Sequence, residues 1–113
     1  MKTITTDELK DLREQGDNVT LVNTLAADSF AKTRIPGAVN VPLEDSDFAA
    51  RVEQEAGDKD KPVVVYCASA QCNSSEKAAK QLEQAGFTDV SRYTGGAAAW
   101  QKEAEEVQVG PSC

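Results

Sequence analysis

The sequence predicts an α/β fold: one domain over residues 1–113, with a parallel sheet covered by helices on both faces. Three observations carry this. Val63-Val64-Val65-Tyr66 is a continuous apolar, largely β-branched run after Lys61-Pro62, the pattern of a central strand buried on both faces. Strand-like and helix-like segments alternate along the whole chain, which favours parallel strands joined by helical crossovers. A chain of 113 residues with 40% hydrophobic content can build a single core and is too small for two.

The elements follow in order. A strand near Ile4 precedes a short helix, with Thr6 as its N-cap, an acidic first turn of Asp7 and Glu8, an apolar stripe of Leu9 and Leu12, and an end before Gly16. Asn18 begins a turn, and Val19-Thr20-Leu21-Val22-Asn23 has the composition of a second strand. Asp28 caps a brief helix through Phe30 and Lys32. Pro36-Gly37 forces a turn, and Ala38-Val39-Asn40-Val41 is a short strand stopped by Pro42. Ser46 and Asp47 open a helix carrying Phe48 and Val52 that fades at Gly57, and residues 57–61 form a polar loop into the Val63 strand. Asn73 and Glu76 are spaced as a capping box, ahead of a helical face of Ala78, Ala79, Leu82 and Ala85 that stops at Gly86. A last strand surrounds Val90, and Gly95-Gly96 leads into a final helix holding Trp100.

Composition narrows the function. Nineteen acidic against twelve basic residues give a net charge of −7, which disfavours nucleic acid and anionic membranes as partners. No apolar stretch approaches the roughly 20 residues of a membrane span, and Met1-Lys2-Thr3-Ile4-Thr5 has no apolar core of a signal peptide. The expectation is a cytoplasmic protein. Three cysteines and no histidine argue against a disulfide framework and a structural zinc site, so neither metal nor cofactor is expected. The missing histidine also rules out Ser-His-Asp and Cys-His catalysis, and a reactive cysteine has to be activated by backbone dipoles or cationic side chains.

Cys67 follows the most apolar strand directly and precedes a loop and a helix N-terminus. In a parallel α/β sheet the carboxyl ends of the strands are where chemistry is placed. Loop amides and a helix N-terminus create a positive field that favours the thiolate over the ordinary thiol, whose pKa is about 8.5. The competing reading is an inert, buried small hydrophobe. Ala68, Ser69 and Ala70 carry little bulk, which leaves the backbone free to curl around the sulfur and a ligand free to approach. Trp100 and Phe87 read as core anchors. Gly95-Gly96 serves backbone geometry, since no phosphate-loop pattern is present. Arg92 and Arg34 either bring charge toward the site or form surface ion pairs.

With these residues in place, the chain resembles the rhodanese family of sulfurtransferases over nearly its whole length. Ile35-Pro36-Gly37-Ala38 with Val41-Pro42 is similar to the family's I-P-G-A block, and Val64-Val65-Tyr66-Cys67 to its active-site strand. Ala78-Ala79, Leu82, Gly86-Phe87, Val90, Gly95-Gly96 and Trp100 fall in register with its later blocks. The resemblance implies a single rhodanese-like domain: three α/β/α layers, a five-stranded parallel sheet, and a Cys67 persulfide. That persulfide carries sulfane sulfur from thiosulfate or a small or protein-bound persulfide donor to a thiol or other nucleophilic acceptor. It places substrate binding at Ala68, Ser69, Ala70, Gln71, Cys72 and Asn73.

The chain departs from the family pattern at several positions. Asn23 and Leu25 stand where Asp and Arg are common, and Arg34 where His is common. Cys72 and Asn73 stand where the active loop commonly carries Arg and then Ser or Thr. An anionic donor then forgoes a charge-assisted hydrogen bond worth about 1.5–3 kcal/mol, and thiosulfate is expected to be a weak substrate. Cys72 reads either as a second thiol that attacks the persulfide or a sulfenic acid on Cys67, or as a packing residue. Cys113 reads as a free thiol of the tail, or as a resolving one. The alternative function is a non-catalytic redox-sensing or partner-binding module with a Cys67–Cys72 switch. A C-x5-R phosphatase loop is excluded because Asn73 stands where the arginine is required.

Overall fold

The computed structural model describes residues 2–14, 19–33, 35, 37–43, 46–67 and 74–100. The elements are β1 (Lys2–Ile4), α1 (Thr6–Glu14), β2 (Thr20–Asn23), α2 (Ala27–Thr33), β3 (Val39–Asn40), α3 (Phe48–Ala56), β4 (Val63–Tyr66), α4 (Ser74–Gln84) and β5 (Val90–Tyr93). Residues 96–100 are helical. The five strands form one sheet in the order β1-β5-β4-β2-β3, and every pairing is parallel. The apolar run at Val63 is thus the central strand, and all four of its residues are buried.

Period-two alternation divides the sheet residues between two cores. Val63 and Val65 of β4, with Val22 and Val90, pack against Phe48 and Val52 of α3 and Ala78, Ala79 and Leu82 of α4. Val64 and Tyr66 face the other way, with Ile4, Leu21 and Tyr93, against Leu9 of α1 and Ala97. Helices therefore cover both faces, giving the three-layer α/β/α arrangement. Phe87 lies inside the first core, and Trp100 is half-buried at the edge of the second.

The strands and helices fall where the sequence places them, with two shifts at helix starts. The cap of α1 is Thr5, not Thr6: Thr5 Oγ1 accepts from the Glu8 amide at 3.3 Å, and the Thr5 amide donates to Glu8 Oε1 at 3.1 Å. This is a reciprocal capping box, and consecutive threonines made its position ambiguous by one residue. Asp28 lies inside the first turn of α2, where its Oδ1 accepts from the Ser29 amide at 3.0 Å, while Ala26 accepts the first helical bond from Phe30. α3 runs from an Asp47 cap to Gly57, whose φ of 90° supplies the left-handed stop. The turn expected at Pro36-Gly37 is present, with the Ala38 amide donating to the Ile35 carbonyl at 2.9 Å and Gly37 at a φ of 86°; the helix end at Gly16, the turn at Asn18 and Asn73 of the second capping box lie outside the described residues.

Candidate active site

Cys67 is the first residue beyond β4, so the carboxyl end of the central strand delivers it, and continued alternation after Val63 and Val65 turns it toward α4. It is a free thiol and 1% exposed. Its backbone is held from the far side of the sheet, where the Ala97 amide donates to the Cys67 carbonyl at 2.9 Å. At Gly95, just before this segment, a β-carbon would sit 2.6 Å from Ala99 Cβ, so the start of the final helix has no room for a side chain there. The Gly95-Gly96 pair shapes the backbone leading to Ala97, with Gly96 at a φ of 64°.

The sulfur faces a hydroxyl. Cys67 Sγ donates to Ser75 Oγ at 3.5 Å, and Arg92 Nε of β5 donates to the same oxygen at 2.9 Å. Ser75 is 1% exposed, in the first turn of α4, on the face that also buries Ala78, Ala79 and Leu82. The resemblance set the hydroxyl at position 73, and the hydroxyl that meets the sulfur comes two residues later. Arg92 is half-buried and inward, two residues after Val90 on the same face, and its bond to Ser75 brings a positive charge to the site. Sequence reasoning missed Ser75. The available signal was its helical spacing of three, four and seven from Ala78, Ala79 and Leu82.

Beside this point the loop after β2 is tightly tied. The Tyr66 carbonyl accepts from the Thr24 amide at 3.1 Å and from Thr24 Oγ1 at 3.3 Å. Asn23 is fully buried, and its Oδ1 accepts from the Leu25 amide at 2.9 Å. Asn40 Nδ2 closes the turn by donating to the Leu25 carbonyl at 2.7 Å. Asn23 therefore makes an Asx-type turn with a neutral side chain where the family commonly has a carboxylate. Thr24, Leu25, Ala26, Pro42, Leu43, Ser74 and Lys77 line a cleft of about 290 Å³ against the start of α4. It brings an ammonium group to the same end of the sheet as Cys67.

Ala68, Ser69, Ala70, Gln71, Cys72 and Asn73, the predicted substrate loop, lie outside the described residues, as do Arg34 and Cys113. Among the described residues no group of acidic and thiol side chains is arranged to hold a metal ion, and no helix is long and apolar enough to cross a membrane.

The family model for the rhodanese-like domain matches residues 5–103. This chain belongs to the rhodanese-like domain family. Among its relatives, the thiosulfate sulfurtransferase GlpE of Pseudomonas savastanoi pv. phaseolicola is 37% identical over 101 residues, which cover 88% of this chain and 87% of that protein. The HTH-type transcriptional regulator Rv0324 of Mycobacterium tuberculosis is 35% identical over 98 residues, covering 87% of this chain but 41% of the regulator. A crystal structure of a rhodanese-like domain protein from Staphylococcus aureus superposes with a TM-score of 0.73 at 29% identity, covering 88% of this chain and 91% of that one. The rhodanese-like fold expected from the motif blocks is the fold observed.

Proposed function

We propose that this chain is a cytosolic rhodanese-type sulfurtransferase, a single catalytic domain over 1–113 in which Cys67 carries the sulfur. In the first half-reaction the Cys67 thiolate attacks the outer sulfur of thiosulfate. A new sulfur–sulfur bond forms to Cys67, the bond to the sulfonate sulfur breaks with its electron pair, and sulfite leaves. A persulfide donor reacts in the same way and leaves as a thiolate. In the second half-reaction an acceptor thiolate attacks the terminal sulfur of the Cys67 persulfide, takes it as a new persulfide, and returns Cys67 as thiolate. No external oxidant or reductant is needed in either step.

The observation that carries this reading is the placement of the sulfur: at the carboxyl end of the central strand, on a hydroxyl of the first turn of the next helix, in a chain of this family. The Lys77 cleft at the same end of the sheet favours an anionic group on the donor. Mass spectrometry after incubation with donor tests it. We expect one added sulfur atom on Cys67, no transfer by Cys67→Ser, and retained transfer by Cys72→Ser. Full activity in Cys67→Ser overturns the assignment.

The match to a transcriptional regulator favours one second reading, a redox-sensing or partner-binding module. There, peroxide oxidises Cys67 and Cys72 to a disulfide and is itself reduced to water. The same spectra separate the two, because the switch gives a peroxide-dependent disulfide and no sulfur adduct.

A further inference from the structure

The segment between Cys67 and α4, Ala68-Ser69-Ala70-Gln71-Cys72-Asn73, contains no basic residue. A positive group nevertheless reaches the sulfur by another route. We propose that Arg92 is a positioning residue that acts through the Ser75 hydroxyl to hold Cys67 as a thiolate, supplying from β5 the charge absent from that loop. This rests on the reading of Cys67 as the sulfur carrier.

The geometry is set by three elements. The register places Arg92 beside Val65, two residues before Cys67, and alternation turns Val65, Cys67, Val90 and Arg92 toward the α4 side of the sheet. The first turn of α4 inserts Ser75 between them, 2.9 Å from Arg92 Nε and 3.5 Å from Cys67 Sγ. The guanidinium can only donate. Its bond to Oγ fixes one lone pair of the hydroxyl and polarises the O–H. With Cys67 as a thiol, S–H donates to Oγ. When that proton leaves, the serine O–H turns to donate to the sulfur anion, and the guanidinium charge stabilises it through the hydroxyl. Lysine is a point charge on a flexible stem and matches this fixed fork less well than arginine.

Among the described residues, the other charged groups on elements packed against Cys67 are Glu76, Lys77, Lys80 and Glu83 of α4, and none is buried. Glu76 pairs with Lys80 at 3.4 Å, and Lys77 lines the Thr24 cleft. β2, β4 and residues 96–100 carry no charged side chain. Tyr66 and Tyr93 belong to the opposite face of the sheet. Cys72 is the remaining titratable group of the adjacent segment.

The test is the pH dependence of Cys67 alkylation by iodoacetamide, read for that site alone by peptide mass spectrometry, in Arg92→Gln, Arg92→Lys and Ser75→Ala. Glutamine keeps a donor for Ser75 and removes the charge. We expect Arg92→Gln and Ser75→Ala to move the alkylation midpoint upward by about one pH unit, roughly a tenfold loss of thiolate below it. Arg92→Lys should recover more than half of that shift. A midpoint unchanged in folded Arg92→Gln overturns the proposal. If that variant does not fold, an unchanged midpoint in Ser75→Ala does so. The readout is independent of sulfur transfer: a shifted midpoint without any sulfur adduct on Cys67 removes the sulfurtransferase reading and leaves the relay, and an adduct with an unshifted midpoint does the reverse.

Discussion

Removing one phenolic oxygen should be costly at Tyr66 and cheap at Tyr93, although both side chains are buried at 0% and 1% exposure. Tyr66, the last residue of β4, accepts the Ile35 amide at 3.1 Å, and Ile35 is itself 0% exposed. Tyr66→Phe strands that N–H away from water, a penalty of about 1–3 kcal/mol. Tyr93 Oη and Thr6 Oγ1 are hydrogen-bonded to each other, and Thr6 is half-exposed. In Tyr93→Phe the threonine can turn to solvent, and the loss is that of an ordinary hydrogen bond, about 0.5–1 kcal/mol. At about 4 °C per kcal/mol for a domain of this size, Tm should fall by about 4–12 °C in the first case and about 2–4 °C in the second. Urea unfolding with both variants measured side by side is the assay, with an unchanged m-value required of each. Equal losses, or a Tyr66→Phe loss below about 0.5 kcal/mol, would refute the argument that the partner's access to water sets the cost.

Further predictions concern the site and its frame. Thiosulfate should be a poorer donor than an organic persulfide in steady-state transfer, and Lys77→Gln should raise KM for thiosulfate about 3–10-fold with a smaller effect on kcat, as expected for loss of an exposed cation at the cleft; equal or better efficiency with thiosulfate contradicts the preference. Gly95→Ala should destabilise by about 1–3 kcal/mol through overpacking against Ala99. It should also slow transfer by displacing the Ala97 amide from the Cys67 carbonyl, and a variant with wild-type Tm and rate contradicts the close-approach argument for this glycine.

Much of the fold was legible because its signals are local. The buried run at Val63 and the stops at Gly57 and Gly86 each depend on a few adjacent residues, and the elements lie where those residues put them. Helix starts were less sharp: Thr5 and Thr6 are equally able to cap, and only the partner Glu8 separates them. The site was half legible. Cys67 stands out through its strand and the loop beyond it. Ser75 does not, and Arg92 was open between the site and a surface ion pair, since their contact joins α4 to β5 and depends on how a helix seats on a sheet. Alternation from Val90 does mark Arg92 as inward, and helical spacing from Ala78 marks Ser75 as buried. Neither pattern says that the two converge on one sulfur. Asn23 was legible only as a departure, because the amide's role in turning the chain at Leu25 appears once the loop is folded.

The strand order has a kinetic consequence. β4, β2 and β3 come from the middle of the chain and pair with one another, so these contacts can form while later segments are still being made. β5 joins them at the far side of β4, and β1 can dock only on β5, with Lys2 beside Ser91. β1, made ahead of the other four strands, is therefore among the last to be placed, across nearly the whole length of the described chain, which is the kind of closure that slows folding. Cys67 is already in position on the early sheet, and Arg92 arrives with the late strand. A nascent or partly unfolded chain then holds its thiol without the relay to β5, so the reactivity of Cys67 reports whether the sheet has been completed.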